Sequence, residues 1–332
     1  MLAEYLVHVG RVNVFLDPET KDIPKCVADL KFPLPLTLSR STPINPIIRS
    51  DTIQLVISCP PVTYSDEIQV PWKAIDLNKD DAVKSTIKCK QCQSFLTSIS
   101  SWKDLPSANW MEMLDCWSCH TDYPTVLSKR GGPSMFQPTD DCAYLGTSYV
   151  LIRLQSLEGK VAYGPDFKLH CSFCNAELGL PNNKDSSNGV RLDKSSICID
   201  DQKIHPSFIV ASEILTLRDM YATHKFVIVD GERSIWTWCF VPHLPISFQK
   251  SPFSSIEFAN SPISTIKLLY QLEVPPDFTK SSEDWMDIPV SSHAFDEISH
   301  VLEKGNLSFP VSAQKFGPWK VGLLPKFHKQ MI

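Results

Sequence analysis

Residues 168–179 read KLHCSFCNAELG, in which a Cys-x-x-Cys pair directly follows a run that alternates like a β-strand. The same combination recurs in STIKCKQC at residues 85–92. Between these two pairs along the chain lies a further pair, Cys116 and Cys119, which is followed directly by His120. In chain order, Cys89/Cys92 is the first pair, Cys116/Cys119 the second and Cys171/Cys174 the third. Two-residue spacing lets a tight turn aim both thiolates at one metal ion, and tetrahedral zinc takes two such turns, or one turn with a Cys/His pair. The sequence therefore predicts that its centre is ordered by at least one structural zinc ion.

The composition excludes several classes of protein. The 332 residues are 43% hydrophobic and 21% charged, as in ordinary folded proteins, and suffice for two or three domains with hydrophobic cores. No apolar run is long enough to cross a membrane, and the N-terminus lacks the pattern of a signal peptide. We therefore expect an intracellular, reducing location, where paired cysteines favour metal over disulfides. With a net charge of −5 and no block of Lys and Arg, direct binding to nucleic acid is disfavoured.

Glycine is scarce and proline abundant, with 12 and 26 residues, which suits short strands joined by irregular loops. We expect an α+β, mainly β fold in three parts. A β-rich N-terminal module spans 1–84, and a zinc-binding central region with ribbon-like knuckles spans 85–200. A C-terminal α+β section spans 201–332.

Local patterns in the C-terminal section predict individual elements. Apolar spacing predicts a helix over 206–224, with Pro206 acceptable at its start. The sequence Asp-Gly-Glu-Arg at 230–233 predicts a β-hairpin. A second helix is expected over 292–304, capped by Ser291 or Ser292 and stopped by Gly305.

The cysteine pairs can close around zinc in two ways. The seven candidate ligands are Cys89, Cys92, Cys116, Cys119, His120, Cys171 and Cys174. In one arrangement the first and third pairs form a four-thiolate site, because both follow a strand and have similar tails, as in a zinc ribbon. In the other, the first pair joins the second pair or its Cys-His dipeptide, whose separation is only slightly longer than in typical ribbons.

The first arrangement leaves room for a second zinc site. The second pair and His120 would then need a fourth ligand, for which His170 and Cys142 are the candidates. Cys142 is otherwise expected, with Cys198 and Cys239, to be a small buried hydrophobic residue. Neither an HExxH nor an HxE…CxxC frame is present, so structural zinc is favoured over catalytic zinc.

Four segments in combination resemble one known family: KCKQC at 88–92, NWMEMLDCWSCH at 109–120, CSFCNAELG at 171–179 and FGPWKVG at 316–322. This is the HECT-like family that binds ubiquitin-conjugating enzymes and is classed with the ubiquitin-protein ligases. The resemblance extends over nearly the whole chain. It implies that 201–332 is a HECT-like region, and that a conjugating enzyme docks and passes ubiquitin to a lysine of a target.

The resemblance also implies partners and a place of action. Fungal relatives are linked to pre-mRNA 3′-end cleavage and polyadenylation, which implies the cleavage nuclease and its associated subunits as partners, in the cytoplasm and nucleus. The docking motif of the family falls on 89–120. There an amphipathic helix is predicted over 107–117, and it offers Trp110, Met113 and Trp117 as a surface for the conjugating enzyme.

The mechanism that this resemblance implies differs from HECT chemistry. A HECT ligase holds ubiquitin as a thioester on a C-terminal cysteine, but no cysteine follows Cys239, which lies in a predicted strand. A ligase of this sequence is therefore expected to act as RING-type zinc scaffolds do, without a catalytic residue of its own. The rival interpretation is a non-catalytic factor that stabilises a component of the mRNA 3′-processing machinery. A third, a zinc hydrolase, lacks the signature of an open metal site.

Overall fold

The computed structural model describes residues 2–30, 33–59, 68–78, 83–106, 136–164, 167–182, 189–231, 233–249, 251–253, 262–274 and 285–327. The strands are β1 Leu2–Leu6, β2 Arg11–Leu16, β3 Asn45–Ile48, β4 Ile53–Ser58, β5 Ser85–Cys89, β6 Phe95–Ile99, β7 Ser101–Asp104, β8 Cys142–Leu145, β9 Tyr149–Ile152, β10 Val161–Tyr163, β11 Leu169–Cys171, β12 Glu177–Pro181, β13 Val190–Asp193, β14 Ile197–Ile199, β15 Gln202–Lys203, β16 Lys225–Asp230, β17 Arg233–Phe248, β18 Ile263–Gln271, β19 Trp285–Pro289, β20 Lys315–Phe316 and β21 Trp319–Pro325.

The α-helices described are α1 Ala74–Leu77, α2 Pro206–Tyr221 and α3 Ser292–Leu307. Strands outnumber helices, so the predicted α+β, mainly β class is confirmed. Within the described residues, none of the helices combines the length and the apolar character that crossing a membrane requires.

The chain forms two compact units. Unit 1 comprises Met1–Gln69 and Val210–Ile332, and unit 2 comprises Val70–Ile209. The N-terminal strand β1 pairs antiparallel with β17, with Leu2 opposite Phe248, so both ends of the chain contribute to one sheet of unit 1. The three-part division drawn from the sequence stays a prediction, and it does not anticipate this pairing.

Unit 1 is built on a ten-stranded sheet with the order β20-β21-β18-β17-β1-β2-β4-β3, to which β16 and β19 add beside β17. Its longest strand, β17, pairs with β16 near its start and with β1 near its end. Two register shifts between Cys239 and Leu244 separate these halves. Such irregularities bend a strand, which allows one long strand to serve two groups of neighbours.

Helix α3 packs its apolar face on this sheet. The buried residues recur at helical spacing: Ala294, Phe295, Ile298, Val301, Leu302 and Gly305. Ser291 caps the helix, as predicted, because its side chain accepts a hydrogen bond from the backbone N–H of Ala294. The prediction that Gly305 stops the helix is wrong, since α3 continues to Leu307. A Cβ at position 305 would lie 3.0 Å from the Cβ of Leu323, so the glycine permits close approach of α3 to β21.

The predicted hairpin at 230–233 is confirmed, with Asp230 paired to Arg233 and Gly231 at φ +55°. The preceding helix, α2, ends at Tyr221 and is therefore shorter than the predicted 206–224. Ala222 has φ +53°, a left-handed conformation that ends a helix.

Unit 2 contains a seven-stranded sheet, β10-β11-β12-β13-β9-β8-β7, and a four-stranded sheet, β15-β14-β5-β6. A turn around the fully buried Lys194 separates β13 from β14. The Lys194 ammonium group donates to the carbonyl oxygen of Pro71 at 2.6 Å. A buried ammonium group needs such acceptors, so this lysine ties the turn to the segment that begins unit 2.

Candidate metal centre

The first knuckle, residues 88–95, is a tight turn at the end of β5. The backbone N–H of Gln93 donates to the carbonyl oxygen of Cys89 at 2.9 Å, and the N–H of Cys89 donates to the carbonyl oxygen of Ser94 at 2.9 Å. Gln93 has the left-handed φ of +61°. This turn brings the chain back on itself, so that Cys92 lies beside Cys89.

The second knuckle, residues 168–176, repeats this geometry at the end of β11. The N–H of Asn175 donates to the carbonyl oxygen of Cys171 at 2.9 Å, and the N–H of Cys171 donates to the carbonyl oxygen of Ala176 at 2.9 Å. Asn175 has φ +60°. The two turns are therefore equivalent residue by residue, as the matched sequences around the first and third pairs predict.

The two knuckles meet through their thiols. Sγ of Cys89 lies 3.7 Å from Sγ of Cys174, and Sγ of Cys92 lies 3.7 Å from Sγ of Cys171. All four sulfur atoms lie within 4.8 Å of one another. A zinc ion bonded to four thiolates at about 2.3 Å places its sulfurs about 3.8 Å apart at tetrahedral angles. The four thiols, called the four-cysteine cluster below, thus have the number, chemistry and spacing of a structural zinc site.

The four-cysteine cluster joins two sheets of unit 2. Cys89 ends β5, which pairs with β14 in the four-stranded sheet. Cys171 ends β11, which pairs with β10 and β12 in the seven-stranded sheet. An ion bound by all four thiols would therefore act as a cross-link between the two sheets.

The surroundings of the cluster favour thiolates at some positions and thiols at others. Burial raises the pKa of the Cys89 thiol to about 12. The backbone N–H groups of Cys92 and Gln91 donate hydrogen bonds to its sulfur and lower the pKa, but burial has the larger effect. The hydroxyl group of Ser94, 3.1 Å from Sγ of Cys92, lowers the pKa of that thiol to about 6. Because zinc binds thiolates, a bound ion must supply the charge that stabilises the buried Cys89 sulfur in its ionised form.

The second knuckle shows a similar division. Burial tends to raise the pKa of Cys171, but hydrogen bonds from Ser94 and from the N–H groups of Phe173 and Cys174 outweigh it and lower the pKa. Burial raises the pKa of Cys174. Oγ of Ser94 lies 3.4 Å from Sγ of Cys171, so one hydroxyl group contacts a thiol from each knuckle.

Sequence reasoning missed the role of Ser94. The only signal is a difference between the two tails, because Ser94 follows its pair at the position that Ala176 holds in the second knuckle. A hydroxyl group there can donate to a thiolate, which a methyl group cannot do.

The remaining predicted ligands fall into two groups. Cys116, Cys119 and His120 lie outside the described residues, so the second zinc site stays a prediction. Of the candidate fourth ligands, His170 lies with Nδ1 3.1 Å from the carbonyl oxygen of Asn175, and Cys142 is half-buried in β8. Across the part of the chain that the structure describes, the four-cysteine cluster is the one group of His, Cys, Asp and Glu side chains close enough to hold a metal.

Trp110, Met113 and Trp117, with the helix predicted over 107–117, lie outside the described residues. Their role stays a prediction.

The described cysteines outside the cluster are poorly accessible. Cys198 and Cys239 are buried, as predicted for small hydrophobic residues, whereas Cys142 is half-buried. Burial raises the pKa of the Cys239 thiol to about 12, so it is a thiol and not a nucleophilic thiolate at neutral pH.

Comparison with protein families identifies the class of protein to which this fold and cluster belong. Residues 12–321 match the family described as HECT-like ubiquitin-conjugating enzyme (E2)-binding. The match extends over nearly the whole chain, and the protein belongs to this family. No solved structure matches the chain.

Proposed function

We propose that this protein is a ubiquitin-protein ligase or ligase-like factor that binds a ubiquitin-conjugating enzyme and holds it beside a substrate. Its membership of the HECT-like E2-binding family carries the proposal. In this mechanism the protein is a zinc-stabilised scaffold, and ubiquitin passes directly from the conjugating enzyme to a lysine of the target.

The four-cysteine cluster supports zinc as the structural cofactor. Four thiols at near-tetrahedral spacing are the donor set of closed, structural zinc sites, which leave no coordination position for a substrate. The chemistry that zinc would supply here is folding energy and a fixed arrangement of the two knuckles, not activation of water.

The accessibility of the cysteines that the structure describes supports a mechanism without a ubiquitin thioester on this protein. A thioester requires an exposed nucleophilic cysteine. Cys239, the last cysteine of the chain, is only 2% exposed and has a raised pKa. Among the described cysteines only Cys92 is exposed, and it belongs to the four-cysteine cluster.

A connection with pre-mRNA 3′-end processing, in the nucleus and cytoplasm, is part of the proposal and rests on resemblance alone. The second candidate function is a non-catalytic factor that stabilises a subunit of the cleavage and polyadenylation machinery. The lack of an exposed thiol outside the cluster, among the described residues, is expected of such a factor as well.

The deciding experiment is single-turnover discharge of ubiquitin from a panel of charged conjugating enzymes to free lysine. The zinc content of the same sample is measured by inductively coupled plasma mass spectrometry. A scaffold ligase accelerates discharge without forming a reducible ubiquitin adduct on itself. The Cys239→Ala variant should then be as active as the parent protein.

Two results would contradict this mechanism. A thioester that disappears in Cys239→Ala would restore HECT-type chemistry despite the burial of that residue. A folded, zinc-loaded protein that accelerates no discharge would favour the assembly factor.

A further inference from the structure

The two knuckles expose aromatic side chains beside the metal centre. Phe173, at the tip of the second knuckle, is 62% exposed, and Phe95, at the end of the first, is 49% exposed. Each lies within three residues of a cysteine of the four-cysteine cluster, whose sulfurs are all within 4.8 Å of one another. Hydration of a large apolar side chain is unfavourable, so a concentration of them at one place on a surface marks an interaction site.

The adjoining hairpin extends this aromatic surface. Strand β10 pairs with β11, with Val161 opposite Cys171. This hairpin carries Tyr163, 47% exposed, at the end of β10 and Phe167, 77% exposed, between its strands. The name knuckle-tip surface is used below for Phe95, Phe173, Tyr163 and Phe167.

A lysine forms one edge of the knuckle-tip surface. Nζ of Lys160 lies 5.9 Å from the centre of the Phe173 ring, in a cation–π contact. The knuckle lysines Lys88 and Lys168 are paired with Asp201 and Glu177, at 2.6 and 3.0 Å, so it is Lys160 that supplies the positive charge at this edge. The surface therefore offers apolar rings with a basic edge, which fits an apolar patch that has acidic groups at its border.

The knuckles present these rings rigidly. The backbone of each knuckle is fixed by two hydrogen bonds of 2.9 Å, and a bound ion would fix the two knuckles to each other. A rigid aromatic anchor loses little conformational entropy on binding, which is why exposed aromatic residues dominate the affinity of many interfaces.

We propose that the knuckle-tip surface docks the ubiquitin-conjugating enzyme, with Phe173 and Phe95 as the main anchors. This inference rests on the proposed function and names the surface that performs it. Aromatic rings and lysines could also bind other partners, but the family is described by its binding of ubiquitin-conjugating enzymes, and we therefore choose these enzymes as the partner. Single-stranded RNA is the strongest competitor, but the net charge of −5 disfavours it.

The test compares the binding of purified ubiquitin-conjugating enzymes by the parent protein and by the double variant Phe95→Ser/Phe173→Ser. A panel of enzymes is used, each uncharged and joined to ubiquitin through a stable isopeptide bond, with Kd measured by biolayer interferometry. At least one enzyme should bind the parent protein, and the double variant should bind it at least tenfold more weakly. Zinc content and Tm, measured on the same samples, should remain those of the parent protein.

Two further variants keep the test decisive if the double variant loses zinc or folds poorly. Lys160→Glu leaves the phenylalanines in place, reverses the charge at the edge of the surface, and should weaken binding severalfold. Phe316→Ser is the matched control, because Phe316 is 65% exposed but belongs to unit 1, and this variant should bind like the parent protein.

The possible failures are distinct. If the parent protein binds no enzyme of the panel, the proposed function fails and this inference fails with it. If the parent binds but the double variant and Lys160→Glu bind equally well, only the inference is overturned. It is also overturned if Phe316→Ser weakens binding as much as the double variant does. A third result against it would be that the double variant and Lys160→Glu still bind the enzyme but no longer bind another partner, namely a single-stranded RNA oligonucleotide, free ubiquitin or a second copy of the chain.

Discussion

Gln93 and Asn175 occupy the same position in the two knuckles, with φ of +61° and +60°. Each lies four residues after the first cysteine of its pair and donates its N–H to the carbonyl oxygen of that cysteine at 2.9 Å. Residues with a Cβ atom disfavour this left-handed conformation, and asparagine tolerates it better than most. The tight turn that aims two thiols at one point therefore depends on a strained backbone position in each knuckle.

This strain predicts the effect of Gln93→Val. A β-branched side chain is the least tolerant of a positive φ, so the variant should lose roughly 1–3 kcal/mol of unfolding free energy. Gln93→Gly is the control. Removal of the Cβ atom relieves the strain, whereas loss of the hydrogen bond of 2.7 Å from the Gln93 side chain to the carbonyl oxygen of Lys90 destabilises the turn. These two changes oppose each other, so its stability should stay close to that of the parent protein. Urea denaturation with saturating zinc measures both, and equal stability of the valine variant would contradict the role of the turn.

Gly179, the last residue of the CxxCxxxLG segment, has a physical reason to be glycine. It lies on β12 opposite Leu192, with φ +157°. A Cβ atom at this position would lie 1.9 Å from the carbonyl oxygen of Arg191, a distance that no side chain can adopt. Only glycine allows β12 to approach β13 this closely.

We therefore expect Gly179→Ala to displace β12 from β13 and to destabilise unit 2 by several kcal/mol, on the order of other severe backbone clashes. Gly231→Ala is the matched control, because Gly231 also has a positive φ but no atom within 4 Å of the added Cβ. That variant should lose only about 1–2 kcal/mol. Thermal unfolding followed by circular dichroism compares the two, and similar losses would show that the contact with Arg191 is easily relieved.

Removal of the metal should loosen unit 2, because the four-cysteine cluster connects its two sheets through Cys89 and Cys171. A strong chelator should lower the unfolding free energy by on the order of several kcal/mol, because the free energy of binding a structural zinc ion contributes directly to folding. Cys171→Ser should lose one equivalent of zinc and show the same destabilisation without chelator. Native mass spectrometry measures the stoichiometry.

The control for this experiment is Cys59→Ser, which replaces a half-buried cysteine outside the cluster. It should bind as much zinc as the parent protein. Retention of the full zinc content by Cys171→Ser would contradict the assignment of this cysteine as a ligand.

The sequence predicts those features that local patterns determine. Helix α3 was predictable from its cap at Ser291, and the β16–β17 hairpin from its Asp-Gly turn. The four-cysteine cluster is one of the two arrangements that the sequence allows, and it is favoured because the chain around Cys89 and around Cys171 has matching strands and tails. Two turns with the same conformation have similar sequences, and this similarity is why the pairing of Cys89/Cys92 with Cys171/Cys174 can be inferred.

Features that depend on distant parts of the chain cannot be predicted in this way. The pairing of Leu2 with Phe248 brings together two strands that are far apart in the sequence, and neither strand carries a signal for the other. Gly305 resembles a helix stop in the sequence, but its role is close packing against Leu323. Burial of Lys194 likewise depends on acceptors in a remote segment, so the sequence alone gives no reason to expect it.

The stability of unit 2 should depend on pH through Asp193. Burial, together with a smaller effect of the nearby Glu177 carboxylate, raises the pKa of this carboxyl group from 3.8 to about 7, although Lys168 opposes the shift. The folded protein therefore binds a proton at Asp193 that the unfolded chain has already released between pH 3.8 and about 7. The protonated Asp193 carboxyl group contributes its full stabilisation below pH 3.8, and this stabilisation is lost as the pH rises through about 7.

Asp193→Asn should remove this dependence, because the amide resembles the protonated carboxyl group and does not ionise. At pH 8 the variant should be more stable than the parent protein by on the order of 1–3 kcal/mol, and the difference should shrink as the pH falls toward 4. Acid also protonates the cysteine thiolates and releases zinc, which destabilises both proteins as the pH falls. The informative quantity is therefore the difference in unfolding free energy between Asp193→Asn and the parent protein at each pH. Asp22→Asn, which removes an exposed carboxyl group of unit 1, is the control and should not gain this stability at pH 8. If Asp193→Asn is no more stable than the parent at pH 8, the carboxylate must be ionised in the folded protein at little cost, and Lys168 must compensate for its burial.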